Sequence, residues 1–273
     1  MSAGTERAPA KVNLSLCVLG RRADGYHELS SVVVFADVAD VLVVEPADMN
    51  VLEVTGAFAA DVPRDVSNSI WKSYSWLAAR RALPQVRVRL EKNLPVASGI
   101  GGGSADAAAM LRALLRITAA SLSENDITSL ATGLGADVPV CFRGQPCLME
   151  GIGEKISVLT EQLPPALVLV NPLVPCSTAE VFKAMGLKVG EMRPAPTRAQ
   201  WRNDMTAAAI QTQPQISNVL SALHKTTLFP VLMSGSGATC FGIARDFAEA
   251  ENVAGQLARL HPNWWVRAAR LLA

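Results

Sequence analysis

From Lys11 to Leu19 the chain alternates. Val12, Leu14, Leu16 and Val18 fall on one side of an extended strand, and Lys11, Asn13, Ser15 and Cys17 on the other. Lys11 and Asn13 therefore share a face near the start of that strand, either a solvated edge or a face turned to a ligand. Gly20 to Gly25 is a turn closed by Asp24-Gly25, followed by Tyr26 and His27 side by side and an apolar strand over Leu29 to Phe35. Further strands are predicted at Val41 to Glu45 and Asn50 to Thr55, then a helix over Asn68 to Ala82 that stops before Pro84. Val86 to Leu90 alternates apolar and charged residues, which predicts a half-buried strand. From Ser104 to Leu115 the residues are strong helix formers, with Ser104 at the N-cap.

Ser123-Glu124-Asn125-Asp126 has the form of a capping box and opens a short helix that ends at Gly133-Leu134-Gly135. Asp137 follows, stiffened by Pro139, as either a helix N-cap or a carboxylate that needs another partner. A short strand lies between Gly144-Gln145-Pro146 and Gly151-Ile152-Gly153, and Leu163-Pro164-Pro165 reads as a domain boundary. Beyond it strands are expected at Ala166 to Val170, Val231 to Met233, Thr239 to Ala244 and Trp264 to Ala269. Helices are expected at Ala179 to Met185, about Thr197 to Gln211, Gln215 to His224 and Phe247 to Leu260. This is an α+β pattern, an open sheet with helices on one side. Ser234-Gly235-Ser236-Gly237 joins two of the strands, as a plain hairpin turn or as part of a phosphate site.

Composition narrows the class. The 273 residues suffice for one large or two modest domains, and with half of them hydrophobic and 18% charged the chain is globular. A net charge of +1, spread evenly, favours neither nucleic acid nor an acidic membrane surface. Met1 to Ala10 contains no apolar signal-peptide core, and every apolar run is strand-length. Cys17, Cys141, Cys147, Cys176 and Cys240 are odd in number without Cys-x-x-Cys spacing, and His27, His224 and His261 are scattered. That argues against a zinc site or a disulfide framework, and for buried thiols in the reducing cytoplasm.

The densest chemical signal is Pro95-Val96-Ala97-Ser98-Gly99-Ile100-Gly101-Gly102-Gly103-Ser104, between the alternating strand and its helix. Glycines let backbone N–H groups turn toward a ligand without Cβ interference, and a helix N-terminus adds unpaired donors and a positive dipole end. Together they form an anion site suited to nucleotide phosphates, the alternative being a flexible turn without a ligand. The loop ends Gly-Gly-Ser, not Gly-Lys-Ser/Thr, so it is not a Walker A loop. Counted from Gly99, its sixth position is Ser104, so it is not a dinucleotide fingerprint either.

The segment Pro95 to Ala105 resembles the phosphate loop of the GHMP kinases, the family of galactokinase, homoserine kinase and mevalonate kinase. The Lys11 strand and Ser234 to Ala238 resemble that family's first and third motifs. Pro9 to Leu14, Arg22 to His27 and Gly135 to Pro139 are similar to the GHMP kinases that act on a cytidine-diphosphate sugar alcohol for isoprenoid synthesis.

The resemblance implies a two-domain α+β fold. Its ATP-binding half spans 1–162, its C-terminal half spans 163–273, and the active site lies in the cleft between them. It also implies ATP-dependent phosphorylation of the 2-hydroxyl of a methylerythritol unit, with Mg²⁺ accompanying ATP. The partners are then small molecules, neither nucleic acid nor membrane. Lys11 and Asp137 match the catalytic pair, Asp137 accepting the hydroxyl proton and Lys11 orienting it and stabilising developing charge. Asn13, Tyr26, His27, Thr178 and Phe182 match substrate-binding positions, with Tyr26 and Phe182 expected to clamp the base while His27 bonds its polar edge.

Pro95 to Ala105 matches the ATP loop, Asn68 and Lys92 the nucleotide pocket, and Gly235, Ser236 and Gly237 the third-motif loop. The Ser104 hydroxyl is a candidate contact for Mg²⁺ or phosphate. Ser98, Ile100, Ala105 and Asp106 depart from the usual loop pattern, and an acidic Asp106 would repel phosphate if it faced the site. The other readings are a GHMP kinase for a smaller alcohol such as homoserine, and a catalytically silent nucleotide binder. The presence of both Lys11 and Asp137 speaks for an active kinase.

Overall fold

The computed structural model describes residues 4–159, 162–194 and 201–272. The chain forms two compact units that interleave along the sequence. One contains the residues up to Ala10, Val38–Val96 and Gly101–Gly144; the other contains Lys11–Asp37, Ala97–Ile100 and everything from Gln145 on. Three strands open the chain: β1 (Gly4–Asn13), β2 (Cys17–Arg21) and the long β3 (His27–Pro46).

In the first unit, the end of β3 (Val41 to Pro46) runs antiparallel to β5 (Val86–Glu91), which pairs in parallel with β4 (Val51–Thr55). Parallel neighbours need a crossover. It contains α1 (Ser69–Ala78), four residues shorter at its end than predicted, with Asn68 as N-cap accepting from Ile70 N–H at 2.8 Å. The alternation of β5 is realised: Val86, Val88 and Leu90 are buried, while Arg87 and Arg89 face solvent and pair with Glu53 and Glu45.

The central helix is α2 (Gly102–Ile117), packed against α1 and against α4 (Val138–Arg143). It is buried nearly all round, which its alanines permit by letting neighbours approach closely. Met110, Leu111 and Leu114 are fully buried, each contributing about 1.5–3 kcal/mol. The predicted capping box opens α3 (Glu124–Gly133): Ser123 Oγ accepts from Asp126 N–H at 3.1 Å, and the Asp126 carboxylate accepts from Ser123 N–H at 3.0 Å.

In the second unit, β6 (Cys147–Gly151) pairs with β3 and with β7 (Lys155–Val158). Next come β8 (Ala166–Asn171), α5 (Thr178–Met185), α6 (Thr206–Thr212) and α7 (Gln215–His224). The chain closes with β9 (Val231–Met233), β10 (Cys240–Ala244), α8 (Phe247–Leu260) and β11 (Trp265–Leu272). The strands lie antiparallel in the order β9-β10-β8-β11, and β11 continues to β3 through Leu271 opposite Ala36. β8 is buried along its whole length, in keeping with its apolar run from Ala166 to Val170. α8 packs on β8, β10 and β11, and α7 on β9 and β10, around Val168, Val170, Val219, Leu223, Val253 and Leu257.

Three expectations are corrected. The strand expected over Lys11 to Leu19 breaks after Asn13, because Leu16 leaves the ladder to exchange backbone bonds with Arg202 and Asp204. Both of its faces are buried. The helix expected from about Thr197 begins only at Thr206, and its predicted start at 197–200 lies outside the described residues. Met205 N–H is instead tied to Asn203 Oδ1, and the Asn203 amide donates to the carbonyls of Met233 and Gly235 at 2.7 and 2.8 Å. Lastly, α2 starts at Gly102 with Gly101 as a left-handed N-cap, so Ser104 is its third residue and not its cap.

Candidate active site

Within the second unit, the segments resembling the first, second and third motifs meet and bond to one another. The Ser234 hydroxyl accepts from the Asn13 backbone N–H at 3.1 Å and donates to the Gly99 carbonyl at 3.0 Å. Lys11 N–H donates to Ile100 C=O at 2.9 Å, and Thr239 N–H to Ser98 C=O at 3.0 Å. Gly99 must be glycine: its φ is +77°, and a Cβ there would lie 2.5 Å from the Ser234 carbonyl oxygen and 2.6 Å from that of Gly237. The Ser234 to Gly237 segment is thus part of the loop's support and not merely a hairpin turn.

Lys11 and Asn13 are 3% and 1% exposed, so their face is not a solvated edge. The Lys11 ammonium donates to Asn13 Oδ1 at 2.9 Å, Asn13 Nδ2 donates to Ser31 Oγ at 2.7 Å, and Ser31 Oγ donates to the Ser15 carbonyl. This chain sets the Asn13 amide orientation and through it the Lys11 ammonium. Thr178, at the start of α5, shares a 2.7 Å hydrogen bond with Ser236 Oγ, and Cys176 N–H donates to Ala97 C=O, so α5 starts against the same loops.

In the first unit, Gly102, Gly103 and Ser104 form the first turn of α2. A Cβ on Gly102 would stand 3.3 Å from Lys92 Nζ, whereas one on Gly103 would meet only Ser69 Oγ at 3.7 Å. Asp106 is turned inward. Lys92 Nζ donates to Asp106 Oδ2 and to Asp40 Oδ2, both at 2.6 Å, and all three side chains are buried. Asp40 also accepts from Asn93 and Leu94 N–H, so the cluster anchors the chain entering the loop.

Burial would lower the Lys92 pKa, but Asp106 and Asp40 raise it overall. Burial pushes Asp106 up to about 7 against the pull of Lys92. Asn68 uses its side chain to cap α1 and to donate to Pro63 C=O, so the polar groups of both Asn68 and Lys92 are engaged within the protein. Asp137 stands at the N-cap position of α4, yet its side chain makes no capping bond.

His27 lies flat on Phe182, with ring centroids 4.0 Å apart and 8° between the planes. The facing sides are closed to a base, so a clamp built on Phe182 has only its outer face to offer. Tyr26 is 51% exposed on the turn before it. His27 and Phe182 line a cavity of about 500 Å³ with Arg21 and Lys183. The His27 pKa is lowered, first by burial and then by the Arg21 charge. Arg21, Lys183, Asp40 and Ser31 are absent from the sequence reading. Only Asp40 carried a signal, an acid in an apolar strand.

Residues 68–145 match the GHMP kinases N terminal domain, and residues 194–263 the GHMP kinases C terminal model. The 4-diphosphocytidyl-2-C-methyl-D-erythritol kinase of Paramagnetospirillum magneticum is 46% identical, covering 100% of both chains. That of Bradyrhizobium diazoefficiens is 44% identical over 99% of each. A crystal structure of 4-(cytidine 5'-diphospho)-2C-methyl-D-erythritol kinase superposes with a TM-score of 0.80 at 32% identity, over 99% of this chain and 100% of that one. Homoserine kinase from Cytophaga hutchinsonii shares the fold, with a TM-score of 0.67 at 14% identity over 99% of this chain and 95% of that one. Full-length similarity at this level, on a chain whose three motif segments bond to one another, makes this protein a member of the 4-diphosphocytidyl-2-C-methyl-D-erythritol kinase family of GHMP kinases.

Proposed function

We propose that the protein transfers the γ-phosphoryl group of ATP to the 2-hydroxyl of 4-diphosphocytidyl-2-C-methyl-D-erythritol, releasing ADP and the 2-phosphate. The observation that carries this reading is the bonded junction of Asn13, Gly99 and Ser234, which draws the kinase motif segments together. Phosphoryl transfer asks the protein mainly for positioning and charge stabilisation. The first N–H groups of α2, with Gly101 to Gly103, hold the phosphates. Gly103 is exposed and free of protein crowding, which supports close approach by a ligand there.

No cluster of three His, Cys, Asp or Glu side chains fit for a metal occurs among the described residues. Ser104, on the first turn of α2, would offer its hydroxyl to a Mg²⁺ bound with the nucleotide phosphates. Such an ion would neutralise charge on the phosphates. Asp137 takes the proton from the 2-hydroxyl as its oxygen bonds to phosphorus. Lys11, fixed through Asn13, orients the reacting groups and stabilises the developing negative charge. Tyr26, His27, Thr178 and Phe182 bind the cytidine part. All five cysteines are buried, which supports a reducing cytoplasm as the compartment. Among the described residues no helix is long and apolar enough to cross a membrane, and the proposed partners are small molecules alone.

A coupled ADP-release assay with the cytidine substrate, homoserine and mevalonate tests the reading. Turnover with the cytidine substrate alone is expected. Turnover with homoserine instead would assign a different kinase, and ATP binding without turnover on any alcohol would make the protein a silent binder.

A further inference from the structure

Taking the substrate to be a cytidine diphosphate ester, as proposed above, we infer that Arg21 and Lys183 bind its diphosphate in the cavity beside His27, and that Arg21 makes the site selective for a diphosphate.

Arg21 ends β2 directly across the ladder from His27. Both line the 500 Å³ cavity together with Phe182 and Lys183, and Leu187, an alanine and two glycines complete its wall. A cavity of this size suits one small ligand. Among the described residues its wall carries two cationic side chains and no carboxylate. The nearby acids are engaged elsewhere. Asp24 and Glu28 face Arg22 at 3.1 and 3.6 Å, and Glu191 accepts from Lys188 N–H and pairs with Arg193. Among the described residues neither Arg21 nor Lys183 forms an ion pair. Arg21 Nε is buried without a hydrogen-bond partner, and one terminal nitrogen reaches only the Leu187 carbonyl, at a long 3.4 Å.

A buried guanidinium N–H left unsatisfied is costly, and its natural complement is a phosphate taken by two parallel donors. The His27–Phe182 stack stands in the same wall, so a base packed on its outer face would place the phosphates of one nucleotide within reach of both cations.

The test measures inhibition by cytidine diphosphate and by cytidine, each against the cytidine substrate and against ATP. The proteins are wild type, Arg21→Gln, Arg21→Lys and Lys183→Gln. Cytidine diphosphate should compete with the cytidine substrate and not with ATP. Arg21→Gln should weaken cytidine diphosphate, and raise KM for the substrate, by about 10- to 100-fold, with cytidine affinity and KM for ATP changed less than about twofold. Arg21→Lys should recover part of the loss, and the loss should shrink as salt rises. Equal weakening of cytidine and cytidine diphosphate would overturn the inference, because Arg21 would then act on the base or the fold. Unchanged cytidine diphosphate binding in an Arg21→Gln enzyme that still turns over the substrate would overturn it alone. Failure of wild type to phosphorylate the cytidine substrate would sink the kinase reading itself.

Discussion

His27 and Phe182 lie parallel at 4.0 Å between centroids, one from the start of β3 and one from α5. Each ring holds the other in place, and only their outer faces remain for a base. Stacking on such a face is worth about 1–3 kcal/mol. Phe182→Ala is therefore expected to lower kcat/KM for the cytidine substrate by about 5- to 100-fold while KM for ATP stays unchanged. Equal losses for both substrates in steady-state kinetics would indicate misfolding.

The same histidine sets a pH dependence. Burial first, and the Arg21 charge second, lower its pKa from the ordinary 6.5. Above that value His27 is neutral in both folded and unfolded chains. Below it the unfolded chain takes up a proton that the folded one refuses, so stability falls as pH drops through 6.5 and levels off below the folded pKa. Urea midpoints measured between about pH 7.5 and 5.5 should decline more steeply for wild type than for His27→Gln. Parallel curves would contradict the assignment.

Asp137 is the proposed proton acceptor, and at the N-cap position of α4 its side chain makes no capping bond. Asp137→Asn should retain ATP binding by calorimetry and lose roughly 10²-fold or more in kcat. A near-normal kcat would assign the proton to another group.

The loop glycines should divide into two classes. Gly99→Ala drives a Cβ into the backbone of Ser234 and Gly237 at a positive φ, and is expected to destabilise the fold measurably. Gly103→Ala meets no crowding and lies in a helix, where alanine is favoured by about 1 kcal/mol, so Tm should hold or rise. Its ATP affinity should nevertheless fall. Titration with a non-hydrolysable ATP analogue showing no change would place the phosphates elsewhere.

Lys92 holds two buried carboxylates at 2.6 Å. Lys92→Met leaves both without a cation and should cost about 3–5 kcal/mol in denaturant unfolding. Asp106→Asn keeps the Lys92–Asp40 pair and should cost clearly less. The reverse order would mean that Asp106, not Asp40, is the main counter-charge.

Local sequence determined much of this protein. The alternation of Val86 to Leu90, the capping box at Ser123 and Asp126, and the glycine run before α2 follow from periodicity, side-chain reach and missing Cβ atoms, which act over a few residues. The motifs likewise carried the family. Tertiary structure decided what those residues do with one another. Nothing local says that Lys11 and Asn13 are buried, that Leu16 pairs with Arg202 and Asp204 and so breaks its strand, or that the Ser234 hydroxyl joins Asn13 to Gly99. Asp106 looks like a threat to phosphate beside the loop, yet it turns inward because Lys92, fourteen residues earlier, reaches it with a charge that burial makes valuable. Arg21 gives no signal in the sequence. Its meaning depends on which side chains wall one cavity and which acids are already paired, and only long-range packing settles both.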